Sequence, residues 1–271
     1  MRSQRSFGVL ALAGMRCCFF KPKRVYHRLA LARWFGVKKW QRPLFSIFHP
    51  MQTREMFNKI HKRYDLLNHL MSASRDVAWR KACCKILPKK ENAVVLDLCG
   101  GTGDFAVAYK KTGKPKLCIV GDFADKMLNV AAKKDPDLKL AQMDATQIPL
   151  ADNSVDVILN GFGMRNIPNL DLAFSEAFRV LKQGGYFATL EFFKPEKTIS
   201  KLFYEKIAPL IIPFAGMMLS KRNAYRYLVL SILNFITPKQ YASKARNAGF
   251  TLRCTKALDG GLAHIILLEK K

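Results

Sequence analysis

The chain has 271 residues, 46 Lys+Arg against 20 Asp+Glu for a formal net charge of +26, and a hydrophobic share of 49%. That length and share fit a soluble globular protein, one large α/β domain with appendages. The charge favours an anionic partner, either nucleic acid or a lipid surface, and is silent on fold.

Residues 1–54 hold about a dozen basic residues and no Asp or Glu, the first acid being Glu55. The apolar run 7–13 is too short to span a bilayer. Two readings stand for the head, residues 1–50: an organellar targeting peptide that is removed, or an upstream extension of the reading frame with Met51 as the start of a bacterial protein. Neither gives it a place in the core.

From Thr53 a helical pattern begins, with Met56, Phe57, Ile60, Tyr64 and Leu67 at three- and four-residue spacing. A second helix is expected from Arg75 to Leu87, ended by Pro88. Strands are then expected at 93–98, 117–121, 138–142, 155–160 and 186–192, with helices at 103–111, 124–134 and 170–182 between them. Gly184-Gly185 reads as the stop of the last of these helices. Residues 197–235 form an apolar, aromatic stretch chopped by prolines, so it is not one spanning helix. A helix at 238–248 and strands at 250–257 and 262–268 close the domain. Strands alternating with helices predict a mostly parallel sheet with helices on both faces.

The run Val94-Val95-Leu96-Asp97-Leu98-Cys99-Gly100-Gly101-Thr102-Gly103-Asp104 reads as a buried strand breaking into a glycine turn. Its spacing is neither the G-x-G-x-x-G dinucleotide fingerprint nor a phosphate loop. Asp97 and Asp104 would repel a pyrophosphate and suit a ligand carrying an amine and a sulfonium, as S-adenosylmethionine does. The plain alternative is a glycine-rich turn of any α/β protein. In an open parallel sheet the ligand lies beyond the carboxyl ends of the strands. That places Gly100, Gly101, Thr102 and Gly103 at the methionine part and Asp122 at the ribose hydroxyls. Asp144 and Ala145 fall at the adenine edge, and Gly161 to Asn166 follow the fourth strand. The plain alternative for Asp122 is a helix N-cap before 123–133. The seven cysteines form no C-x-x-C pair and no ligand spacing with the histidines, which speaks for reduced thiols in an intracellular protein and against zinc. No metal is expected.

Several segments together resemble the ubiquinone/menaquinone biosynthesis C-methyltransferases, class I S-adenosylmethionine-dependent enzymes. They are Tyr64 to Ser72, Leu96 to Asp104, Phe162-Gly163-Met164-Arg165-Asn166, Arg179 to Gly185, Leu190 to Pro195 and Tyr225-Arg226-Tyr227-Leu228. The resemblance covers about residues 53–270. It implies a Rossmann-like, seven-stranded sheet with an N-terminal helical cap, a methyltransferase domain at 51–271, and a hydrophobic substrate lid at 197–235. It implies S-adenosyl-L-methionine as cofactor, contacted by Thr102, Asp122, Asp144 and Ala145, with Asp97 and Gly161 beside them. The family usually has serine where Gly161 stands, and Glu-Ser where this chain has Leu230-Ser231.

The implied reaction is methylation of a ring carbon of a polyprenylated quinol, demethylmenaquinol or a methoxy-benzoquinol. Arg165 is the candidate for stabilising the developing phenolate or for orienting a water that removes the proton, not being the base itself, with Asn166 fixing its fork or binding a ring oxygen. Tyr64, Asp65 and Tyr225 are candidate substrate contacts; Tyr64 and Asp65 read equally as packing and capping residues. The plain reading of Arg165 is a surface arginine paired with an acid. The expected partners are the quinol and an anionic membrane surface rather than nucleic acid, with a homodimer or a quinone-biosynthetic complex as further options. The expected place is peripheral to the inner membrane, cytoplasmic if bacterial, on the mitochondrial matrix face if the head is a transit peptide. An RNA methyltransferase and a non-catalytic scaffold are the alternatives; the first calls for an RNA module or a Pro-Cys or Pro-Pro-Tyr type motif after strand four, and Gly161 to Asn166 occupy that place.

Overall fold

The computed structural model describes residues 50–196, 202 and 222–271. The basic head up to residue 49, and most of the apolar stretch at 197–235, lie outside the described residues. The described part falls in one compact unit, Leu44–Lys271.

Three helices precede the sheet: α1 (Pro50–Ile60), α2 (Tyr64–Met71) and α3 (Arg75–Ile86). The single helix expected from Thr53 is divided by a 3-10 turn at His61–Arg63. There the His61 ring sits 2.8 Å from the Asn58 carbonyl oxygen, a side-chain bond that competes with the helical ladder.

The sheet strands are β1 (Val94–Leu98), β2 (Leu117–Asp122), β3 (Lys139–Gln142), β4 (Val155–Gly161), β5 (Leu181–Glu191), β6 (Thr251–Leu258) and β7 (Ala263–Glu269). Their order is β3-β2-β1-β4-β5-β7-β6, parallel through β5 and antiparallel at β7 and β6. Helices α4 (Asp104–Gly113), α5 (Asp125–Lys134) and α6 (Leu170–Val180) connect the parallel strands, and α7 (Arg222–Asn234) and α8 (Pro238–Asn247) precede the closing hairpin. Alternate residues of one strand feed different cores. Val95, Val157 and Leu190 pack with Trp79 and Phe105 on one face. Leu96, Ile158 and Phe187 pack with Phe174 and Tyr241 on the other. Both faces are covered, as the near-continuous apolar runs of the central strands require.

The expected stop at Gly184-Gly185 is corrected. Helix α6 ends at Val180, and β5 begins at once with Leu181, so the two glycines lie inside the strand. Its pairing with β4 jumps from Val155↔Leu181 to Val157↔Tyr186, two residues against five, which is a bulge. Gly184 adopts φ +67°, and the loop is held by Gly184 N–H to Lys270 O at 2.7 Å and Lys270 N–H to Gly185 O at 3.0 Å. Glycine doublets serve both devices, and only the pairing with the chain end separates them.

Strand order reverses between β1 and β4, so the crevice at their carboxyl ends is where a ligand is expected.

Candidate active site

A cavity of about 230 Å³ opens at that crevice. Its floor is the turn after β1, where Cys99, Gly101 and Gly103 all take left-handed backbone angles (φ +56°, +55° and +78°). A Cβ on Gly100 would come within 2.7 Å of the Asp97 carboxyl carbon, so that position admits glycine alone. At Gly101 the nearest atom to a built Cβ is Asp122 Oδ2 at 4.0 Å, so the cavity reaches bare backbone.

Asp122 ends β2 with 6% exposure and lines the cavity. Its Oδ2 accepts the Gly101 N–H at 2.9 Å and its Oδ1 the Ala124 N–H at 2.8 Å. It therefore ties the glycine turn to the loop before α5, whose N-cap is Ala124; the N-cap reading of Asp122 gives way to a bridge between two loops. Those bonds use two of the carboxylate's roughly four acceptor directions and leave others for ligand hydroxyls. Burial pushes its pKa up to about 6 despite the two N–H donors. Asp97 lies beneath the turn, fully buried, with Oδ2 accepting the Ala106 N–H at 2.9 Å and Oδ1 without a partner among the described residues. Burial raises it to about 7 against the opposing pull of that N–H and of Arg80.

Asp144 and Ala145 line the cavity beyond β3, and Asp144 Oδ1 shapes its own turn by accepting the Thr146 N–H at 2.8 Å. Gly161 lines it at the end of β4. A Cβ there would stand 3.1 Å from Phe105 Cδ1, so the aromatic ring takes the room a serine would need. Phe57 and Tyr64, from the cap helices, supply the roof, with Phe123, Met127 and Leu172 on the sides. Bare backbone at the floor, a hydroxyl-accepting carboxylate and apolar walls fit S-adenosylmethionine.

The wall after β4 is built from distant segments. Asn166 lines the cavity, in the 3-10 turn Met164–Asn166 after β4, and its Oδ1 accepts the Tyr227 hydroxyl at 2.8 Å. Arg165 itself does not line this cavity. Its side chain is 6% exposed, and Nη1 donates to Glu191 Oε1 at 2.7 Å and to the Phe162 carbonyl. Nε donates to Ser231 Oγ at 3.3 Å. The surface-pair reading of Arg165 is corrected on its location: the pair exists and is buried. Glu191, Tyr227 and Ser231 fall in segments that carry the resemblance but were given no site role from the sequence, although an acid closing an otherwise apolar strand was a signal for Glu191.

Burial raises the phenol of Tyr64, against the opposing pull of its hydrogen bond with Asn68 and of the Arg165 charge. Tyr225 lies in α7, its side chain outside those described.

Thr102 is drawn elsewhere. It is 2% exposed, its hydroxyl donates to Asp65 Oδ1 at 2.6 Å, and Lys134 Nζ donates to it at 3.0 Å. Lys134 also pairs with Asp65 Oδ2 at 2.7 Å and with Asp104. The cluster fastens α2 to the glycine turn from outside the cavity, so Thr102 and Asp65 face each other rather than the cavity. Arg54 and Asn58 hold Asp125 in the same way at 3.1 and 3.0 Å. His69, Asp76 and Asp104 approach one another closely enough to hold a cation. Arg80 and Lys134 already supply that charge, at 2.6 Å from Asp76 in the case of Arg80.

A profile of the ubiE/COQ5 methyltransferase family matches residues 48–268. The chain is 35% identical over 219 residues to a ubiquinone/menaquinone biosynthesis C-methyltransferase of Rhizobium meliloti, spanning 77% of this chain and 85% of the relative. It is 33% identical over 225 residues to a demethylmenaquinone methyltransferase of Staphylococcus aureus, spanning 81% and 93%. Among solved structures, a possible histamine N-methyltransferase of Thermotoga maritima, S-adenosylmethionine-dependent, superposes with a TM-score of 0.60 at 20% identity, covering 80% of this chain and 99% of the other. That likeness bears on the fold.

Proposed function

The chain belongs to the ubiE/COQ5 methyltransferase family, and we propose that it methylates a ring carbon of a demethylmenaquinol-type polyprenylated quinol. S-adenosylmethionine is its cofactor and, when bound, supplies a methyl group on a positively charged sulfur. Asp122 is assigned to the ribose hydroxyls, the Gly101 backbone to the methionine part, and Asp144 with Ala145 to the adenine edge.

The carrying observation is the buried Arg165 charge in the turn whose next residue, Asn166, lines the cavity together with Tyr64. A quinol hydroxyl in the same cavity stands in the field of that charge. Loss of its proton pushes electron density onto the adjacent ring carbon, which forms the new C–C bond as the C–S bond breaks; the ring then sheds its own proton. Asn166, oriented by Tyr227, is placed to hold a ring oxygen. The apolar walls exclude water, and alignment carries much of the rate because charge is consumed in the step.

We assign the protein to a membrane surface, where the isoprenoid tail stays in lipid. The +26 charge supports attraction to anionic headgroups, and among the described residues no helix is long and apolar enough to cross a membrane. Purified protein is expected to convert a demethylmenaquinol with labelled S-adenosylmethionine, and cells lacking it to accumulate the demethylated quinone. Methylation of a benzoquinol alone would move the substrate assignment; methylation of RNA and of neither quinol would overturn it.

A further inference from the structure

We propose that Glu191 is a positioning residue for methyl transfer: it grips Arg165 by backbone and guanidinium together and so fixes where that charge stands relative to the acceptor hydroxyl. The inference rests on the acceptor role assigned to Arg165 above.

Glu191 is the last residue of β5, fully buried, and strand pairing with His264 of β7 holds its backbone. Its Oε1 accepts Arg165 Nη1 at 2.7 Å and the Phe192 N–H at 2.8 Å, while Oε2 accepts the Arg165 backbone N–H at 3.2 Å. The strand thus orients the carboxylate, and the carboxylate orients both the turn and the side chain it carries. Phe192 adds its ring 5.7 Å from the guanidinium carbon. The other described acceptors of Arg165, the Phe162 carbonyl and Ser231 Oγ, are neutral, so Glu191 is the counter-charge among the described residues.

A buried ion pair is weak evidence of a stabilising role, because its desolvation offsets its attraction. Its cost here is visible in chemistry too. A carboxylate beside Arg165 opposes the very phenolate the arginine favours, so by field alone the reaction would run better without it. Retaining the acid is explained by geometry, since a misplacement of about 1 Å costs about a hundredfold in rate.

That opposition gives a test with a sign. Glu191→Gln keeps the shape, loses the charge, and offers one oxygen acceptor in place of two. In the full chain, with S-adenosylmethionine and a short-tailed demethylmenaquinol, E191Q is expected to keep cofactor affinity and quinol KM. Its kcat should fall by about a hundredfold, with the pH–rate profile displaced to higher pH. E191D, which keeps the charge with a shorter reach, should recover part of the loss. Wild-type kcat in E191Q, or a faster variant with its profile displaced to lower pH, would overturn the proposal. If E191Q melts below the assay temperature, E191D decides: an unchanged kcat and profile overturns it. Loss of fold in both variants makes Glu191 a fold residue only and also overturns it. Failure of the underlying reading looks different, because wild-type protein would then leave the quinol unmethylated.

Discussion

At the ends of β1, β2 and β3 the cavity is bounded by backbone, and by carboxylates that the chain's own amides hold in place. Asp122 accepts from Gly101 and Ala124, and Asp144 from Thr146. Across the cavity the wall after β4 depends on side chains from four stretches: Tyr64, Arg165 with Asn166, Glu191, and Tyr227 with Ser231. The first half is organised by contacts local to the strand ends. The second exists only once α2, β5 and α7 have docked. On the proposed assignment, a ligand common to many enzymes meets the local half, and the acceptor that distinguishes this one meets the assembled half.

The largest test of that division is Arg165→Ala. Turnover should fall by roughly 100- to 1000-fold with calorimetric cofactor affinity nearly unchanged, and Arg165→Lys should restore little because a point charge lacks the fork. The same variant leaves Glu191 buried without its counter-charge, at a cost of about 3–5 kcal/mol. Glu191 is already raised by burial and rises further without Arg165. Protonation then favours the folded state, so the deficit in melting temperature should shrink as pH falls. Loss of cofactor binding in R165A would place the arginine in the local half and break the comparison.

Asp122→Ala probes the other side. Losing an acceptor for two hydroxyls should weaken cofactor binding by about 2–3 kcal/mol with the sheet intact. In the native chain the Asp122 pKa is raised to about 6, so affinity should decline as pH falls through that value. Stability runs the opposite way. With Asp97 at about 7 and Asp122 at about 6, the folded chain binds these protons more tightly than the unfolded one. Their contribution is lost as pH rises from about 4, the ordinary carboxylate value, to 6 and 7, and Asp97→Asn should flatten that slope. Calorimetry showing unchanged cofactor affinity in folded D122A would remove this residue from the site.

The smallest effect is expected at the outer fastening of the cap. Asp65→Asn keeps an acceptor for Thr102 but gives up the attraction to Lys134, both side chains being 26% exposed. A loss of about 1 kcal/mol or less is expected, fading as salt rises. A larger, salt-insensitive loss would make the cap part of the rigid floor and blur the two halves.

Much of the scaffold was legible because its signals are local. The apolar run into the glycine turn placed β1, and Asp122 and Asp144 followed from the rule that ligands meet strand ends. Where two local devices share one signal, the sequence was ambiguous. Gly184-Gly185 suits a helix stop as well as a bulge, and the chain end at Lys270 decides. The helical period through Tyr64 gave no sign of the break at His61–Arg63.

By itself, then, the sequence determined the parallel sheet and the glycine turn at its crevice, since periodicity and turn chemistry act over a few neighbours, while the residues proposed for quinol chemistry came from the resemblance. Tertiary structure decided that Thr102 serves the cap through Asp65 and Lys134, and that Arg165 is buried against Glu191. Those pairings join residues 37 and 26 positions apart. Whether a charged side chain faces solvent, a ligand or a counter-charge depends on which surfaces dock around it, because only docking sets its desolvation and supplies its partner.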